Sequence, residues 1–131
     1  MNPKANNKYH AKGIKRDGEY YHSKAELEYA GVLELLLMAG RIQSFLHHPP
    51  AVIMCNGHVK WTVDYLVTNL DGDEYYVEVK GMPLEEFKVK FNVYLSEAPD
   101  HLPLFTVYRY AEGRFRIDPK YTINPAGIEM A

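Results

Sequence analysis

The run Val77-Glu78-Val79-Lys80 places a carboxylate and an ammonium two residues apart. On a strand such neighbours share a face, so Glu78 and Lys80 point one way while Val77 and Val79 point to a core. Alone, the pair reads as an ordinary solvent-facing ion pair. Asp64 changes its meaning. It interrupts the apolar, aromatic run Trp61-Thr62-Val63-Asp64-Tyr65-Leu66-Val67, and aspartate is a poor strand former. Two carboxylates side by side repel each other, an arrangement that becomes tolerable with a cation between them. Hard oxygen ligands without clustered cysteines point to Mg²⁺ or Mn²⁺ rather than zinc. A lysine beside such a centre can stabilise charge growing on a phosphate. Asp64, Glu78 and Lys80 are thus the parts needed for in-line hydrolysis of a phosphodiester.

Whether Asp64 meets Glu78 depends on the hairpin that joins their strands, Val59 to Asn69 and Glu74 to Lys80. A two-residue loop, Asp71-Gly72, sets Asp64 opposite Val79 and on the wrong face. A three-residue loop, Leu70-Asp71-Gly72, with Gly72 in the left-handed region, sets Asn69 opposite Asp73 and Asp64 opposite Glu78. The glycine stands where the second register needs it, and that register is expected. A fourth group comes from a helix. Ser23 is a good N-cap and Glu26, three residues on, completes a capping box. Ala30, Leu33 and Leu37 continue below Glu26 as an apolar stripe closed by Gly40. Glu26 can act as a cap and also reach the catalytic group.

The remaining elements follow from local signals. Residues 12–22 form a hairpin turning at Asp17-Gly18. A short strand spans Ile42 to Leu46, stopped by Pro49-Pro50, and the apolar run Ala51 to Cys55 ends in a turn at Asn56-Gly57. A second helix begins with Pro83 at its first position, carries Glu85 and Glu86 in its first turn and stops at Pro99. Its apolar face is Leu84, Phe87, Phe91, Tyr94, Leu95 and Ala98. A last strand, Leu104 to Tyr110, pairs with Phe115 to Ile117 across Glu112-Gly113. The expected fold is an α/β domain around a mixed sheet, spanning residues 1–131 as one domain, with loose tails at 1–8 and 120–131.

The 131 residues carry 15 basic and 17 acidic groups, for a net charge of −2. The basic groups are unevenly spread. Residues 1–16 hold Lys4, Lys8, Lys12, Lys15 and Arg16 and no acid, leaving 10 bases and 17 acids in the rest. A basic arm on an acidic body suits phosphate binding, with a merely solvated terminus as the plainer alternative. Lys12, Lys15 and Arg16 are therefore candidate nucleic-acid contacts. Lys88 and Lys90 at the start of the second helix are further candidates, although lysines flanking an apolar stripe commonly only snorkel. Single cysteine Cys55 excludes an intrachain disulfide, fits a reducing cytoplasm, and reads as a small buried residue. No apolar run is long enough to span a bilayer. The six histidines show no HxH, HxxxH or HExxH spacing, and neighbours such as His47 and His48 face opposite ways on a strand, so no histidine metal site is expected. Glycine-rich nucleotide-binding motifs are absent.

A helix glutamate (Glu26), a strand aspartate (Asp64) and Glu-x-Lys on its hairpin partner (Glu78, Lys80), in this order, resemble the PD-(D/E)XK nuclease superfamily. The run Asp17-Gly18-Glu19-Tyr20-Tyr21-His22-Ser23-Lys24-Ala25-Glu26 and the ending Val79-Lys80-Gly81 are similar to a set of small phage-encoded nuclease-like proteins. The likeness covers roughly residues 8–110 and extends to phage endonuclease I type Holliday-junction resolvases and to transposon-end nuclease subunits. It implies an αβββαβ core and Mg²⁺-dependent DNA cleavage. It also implies a metal held by Asp64, Glu78, the Val79 carbonyl and Glu26, with Lys80 serving the attacking water. A resolvase makes two symmetric cuts, which implies a homodimer in the host cytoplasm. Val63 stands where the superfamily pattern has proline, and the overall charge is acidic.

Overall fold

Local chemistry decides where each early element begins and ends. In the computed structural model, which describes residues 13–81 and 84–131, strands β1 (Ile14–Arg16) and β2 (Glu19–Tyr21) pair antiparallel. Asp17 and Gly18 turn between them with φ of 52° and 81°, the two left-handed residues of a tight hairpin turn. Helix α1 (Lys24–Met38) starts at Ser23, whose hydroxyl accepts the Glu26 N–H at 3.1 Å. It ends in a Schellman closure: Gly40, at φ 71°, donates to Leu37 at 3.1 Å and Arg41 donates to Leu36 at 2.8 Å.

The main sheet has the order β3-β6-β7-β8-β9, formed by β3 (Ile42–His47), β6 (Tyr65–Asn69), β7 (Glu74–Lys80), β8 (Leu104–Ala111) and β9 (Arg114–Ile117). Only β7 and β8 are parallel. A parallel pair needs a crossover, and helix α2 (Glu85–Glu97) supplies it. Strands β4 (Val52–Met54) and β5 (Val59–Trp61) form a separate ribbon. The succession α1, β3, β6, β7, α2, β8 is the expected αβββαβ core, preceded by the expected N-terminal hairpin.

Period-two alternation sends successive side chains of β7 to two cores. Tyr75, Val77 and Val79 pack with Tyr29, Ala30 and Leu33 of α1 and with Tyr65, Val67, Phe105 and Val107. Tyr76 packs on the opposite core, where Trp61, Val63, Phe91, Tyr94 and Leu104 meet. The hairpin between β6 and β7 takes the three-residue loop. Gly72 sits at φ 91°, Asn69 N–H donates to Asp73 at 2.9 Å, and Tyr65 pairs with Val77.

Several expectations need correction. The strand from Val59 to Asn69 is broken at residues 62–64, because the side chain of Asp64 takes over hydrogen bonds that a continued ladder would make. The segment after Pro119, expected as a loose tail, packs: Ile123 exchanges backbone hydrogen bonds with Leu104 at 2.8 and 2.9 Å, and Ile128, Met130 and Ala131 rest on the α1-side core. Helix α2 begins at Glu85 with Leu84 as its cap, and Pro83, expected inside it, lies outside the described residues. Leu37, Leu84 and Leu95, expected on buried stripes, are exposed. Cys55 is exposed as well, held at φ 51° where its strand turns.

Gly72 fixes the register on which the site depends. Adding a Cβ there meets no neighbouring atom but forces an L-residue into the left-handed region, at about 1–2 kcal/mol. Gly72→Ala should lose about that much in urea unfolding; an unchanged midpoint would show that the turn does not need the glycine.

Candidate active site

The site lies where β6 and β7 part. In the observed register Asp64 falls level with Glu78, one step beyond the last paired residues, Tyr65 and Val77. Its side chain does what the missing ladder would do. Asp64 Oδ2 accepts the Val79 N–H at 2.7 Å, and the Asp64 N–H donates to Glu78 Oε1 at 3.0 Å. The Asp64 carbonyl accepts the His48 N–H at 2.8 Å. One residue thus ties together the ends of β3, β6 and β7.

Helix α1 brings in Glu26, whose side chain is 2 % exposed. Tyr65 hydroxyl donates to the Glu26 carbonyl at 2.6 Å and anchors the helix's first turn to the sheet. The capping box forms with a shift: Ser23 caps Glu26, but the Glu26 carboxylate accepts from His22 N–H, at 3.1 Å, rather than from the cap itself. Its second oxygen lies 2.5 Å from His47 Nε2.

Burial acts on all three acids, and repulsion by a neighbouring carboxylate adds to it at Asp64 and Glu78. Asp64 is pushed up to about 7, first by burial and then by the charge of Glu26. Burial, followed by the charge of Asp64, holds Glu78 well above the usual carboxylate range. Glu26 is also raised by burial, with His48 pulling it back down. Burial is likewise the main effect on His48, which is lowered, with Glu26 opposing.

The histidines are the main departure from expectation. His22 Nδ1 lies 3.4 Å from Glu26 Oε1 and His48 Nε2 lies 2.9 Å from Glu26 Oε2. Ligand atoms of His22, Glu26, His48 and Asp64 all fall within 4.8 Å of one another. The rule that sequence neighbours face opposite ways fails because His48 adopts φ 49°, which ends the extended backbone. Its ring then stacks on that of His47 at 3.7 Å instead of pointing away. These donors fit a divalent metal. His48 Nε2 is buried beside a carboxylate without a hydrogen-bond partner, as is Oγ1 of Thr106, the β8 residue level with Glu78.

Lys80 shares the face of Glu78, as its spacing requires, yet its ammonium is engaged elsewhere. It pairs with Asp118 Oδ2 at 2.6 Å and lies 4.7 Å from the centre of the Tyr121 ring. The lysine in turn holds the Asp118 carboxyl below its usual range. Nothing in the sequence marked Asp118, because only the turn after β9 brings it to β7.

Taken together, a mixed sheet flanked by two helices and a buried Asp64 level with Glu78 match a PD-(D/E)XK restriction-endonuclease-like core, and the clustered acids and imidazoles are compatible with a metal-dependent nuclease site. The profile of one protein family, DUF1064, described as a protein of unknown function, matches residues 6–112. The chain belongs to the DUF1064 family. No curated protein and no solved structure matches it. In this DUF1064 chain, Lys15 and Arg16 are exposed on β1, while Lys12 lies outside the described residues. Lys88 and Lys90 pair with Glu85 and Glu86 of their own helix at 3.6 and 2.9 Å. No helix among the described residues is long and apolar enough to cross a membrane.

The raised acids make metal-free stability depend on pH. At pH below 3.8, the ordinary Asp64 value, folded and unfolded chains both hold its proton; from there up to about 7 only the folded chain does. Stability therefore falls as pH rises through that window. The melting temperature of the metal-free protein should drop across it, and Asp64→Asn, which keeps an acceptor for Val79, should flatten the drop. Equal slopes in both proteins would mean that Asp64 ionises freely in the fold.

Proposed function

We propose that this DUF1064 chain is a divalent-metal-dependent endonuclease that hydrolyses DNA phosphodiester bonds, acts on branched DNA such as four-way junctions, and works as a homodimer of phage type. The supporting observation is the meeting of Glu26, Asp64 and Glu78 where β6 and β7 part, with Lys80 next along the same face of β7.

Asp64, Glu78 and the Val79 carbonyl would hold a Mg²⁺ or Mn²⁺ ion, with Glu26 completing the site from the helix. A divalent ion there supplies charge neutralisation for the phosphate and acidity for the attacking water. The chain's own groups do the positioning. Val79 N–H fixes the rotamer of Asp64, and the Asp64 N–H fixes that of Glu78. Lys80 would stabilise charge on the phosphate oxygens, its ammonium restrained in the free chain by Asp118 and Tyr121. Lys15 and Arg16 on β1 and Lys12 before them in the sequence, with Lys88 and Lys90 on α2, are the proposed backbone contacts. Their charge steers DNA towards an otherwise acidic body.

The test is cleavage of a labelled four-way junction beside linear duplex and single-stranded DNA, with Mg²⁺, Mn²⁺ or EDTA. Metal-dependent cutting of the junction is expected, reduced at least about 10²–10³-fold in Asp64→Asn and Glu78→Gln, the range for loss of a group that stabilises transition-state charge. Cutting of every substrate would replace the branched-DNA assignment with a general nuclease. No cutting of any, with metal bound, would leave a partner-dependent subunit or a binding module.

Lys80→Ala should lower the single-turnover rate about 10²-fold while junction affinity changes little. Asp118→Ala frees the ammonium without removing it, and should give a smaller loss. Equal losses in rate and affinity for Lys80→Ala would reassign it to DNA binding.

A further inference from the structure

Resting on the metal-dependent reading above, we propose that His22, Glu26, His48 and Asp64 form a distinct imidazole–carboxylate metal position beside Asp64 and Glu78, one that takes a borderline transition-metal ion such as Mn²⁺, Co²⁺ or Zn²⁺ in preference to Mg²⁺. Asp64 and Glu26 are the carboxylates common to both positions; Glu78 belongs to the first alone and the two imidazoles to the second. Glu78 accepts the Asp64 N–H at 3.0 Å, while Glu26 and the two imidazoles have ligand atoms within 4.8 Å of the Asp64 carboxylate.

The donor set decides the metal class. Two ring nitrogens and two carboxylates lie within 4.8 Å of one another. Mg²⁺ keeps oxygen ligands and several waters, whereas imidazole favours first-row transition metals and Zn²⁺. His48 is fixed for the role from its backbone. Its N–H is held by the Asp64 carbonyl at 2.8 Å and its φ of 49° turns the ring onto Glu26. Nε2 then sits 2.9 Å from Glu26 Oε2, yet buried and without a hydrogen bond. A cation bound by both atoms gives His48 Nε2 the partner it lacks.

The surroundings resemble an outer layer built to hold ligands in place. His47, 4 % exposed, bonds Glu26 Oε2 at 2.5 Å and stacks beneath His48. His22 N–H holds the other Glu26 oxygen at 3.1 Å. The His22 ring is 64 % exposed, and its Nδ1 is 3.4 Å from that oxygen, so it closes the position from the solvent side and ties the N-terminal hairpin to it. The competing explanation is that charged imidazoles merely neutralise Glu26. It differs in one consequence: exposed His22 would then contribute nothing to metal affinity.

The experiment titrates the metal-free full chain with Co²⁺ alone, without nucleic acid, and follows visible absorbance. The expected result is an absorption band that saturates stoichiometrically, is erased by added Zn²⁺ and survives a large excess of Mg²⁺. His22→Ala and His48→Ala should each weaken binding by more than about tenfold, since even outer-shell losses cost about 10–100-fold. Because His22 is exposed, its variant tests the proposal even if His48→Ala fails to fold. Absence of the band, displacement by Mg²⁺ at similar concentration, or unchanged affinity in His22→Ala would overturn the proposal. Junction cleavage measured in parallel separates the two claims. Mg²⁺-dependent cutting without histidine-dependent Co²⁺ binding defeats only this inference. Histidine-dependent Co²⁺ binding without cutting defeats only the nuclease reading.

Discussion

Three carboxylates drawn out of water at one end of a sheet oppose one another and oppose burial, and the architecture around them can be understood as the means of holding them there. Burying a charge without a partner is costly enough that the group normally takes up a proton instead. Asp64 and Glu78 are both pushed in that direction, by burial and by a neighbouring carboxylate. What keeps such an arrangement is the hydrogen bonding of its surroundings. Val79 N–H, Asp64 N–H and His22 N–H each point at one of these carboxylates, and the first two bonds form where β6 and β7 cease to pair.

The break in the ladder therefore joins fold and site. A continuous strand from Val59 to Asn69 would satisfy Val79 through backbone pairing and leave the Asp64 carboxylate without that N–H. Instead the chain leaves the sheet at Asp64 and runs back into the β4–β5 ribbon, which supports the second core with Trp61 and Val63. Helix α1 covers the other core and brings Glu26 to the same end, anchored by Tyr65. In a DUF1064 chain with this geometry, a divalent ion is the simplest group that reconciles three acids with their burial. In a PD-(D/E)XK-like core, such an ion would serve the proposed phosphodiester hydrolysis.

Much of this was legible from short-range rules. The left-handed demand at Gly72 set the hairpin register, which put Asp64 level with Glu78, and period two put Glu78 and Lys80 on one face. The capping box located Glu26. What escaped was set by long-range contacts or by departures from regular backbone. His48 joins Glu26 only because its φ is positive, so the alternation that seemed to exclude a histidine cluster does not apply. His22 follows the hairpin, and no spacing relates it to residue 48. Asp118 reaches Lys80 from beyond β9. The terminal segment has no periodic pattern, yet Ile123 adds a bridge to Leu104 and fills the second core.

The most direct measurement is a crystal structure of the full chain grown with Mn²⁺, with data collected for its anomalous signal. The expected result is a strong anomalous peak within about 2–2.5 Å of an Asp64 carboxylate oxygen, the range for hard-cation coordination, with Glu26 or Glu78 also in reach. Crystals that bind Mn²⁺ elsewhere, with Asp64 and Glu78 still hydrogen-bonded only to each other and to Val79, would contradict a metal centre at the parting of β6 and β7.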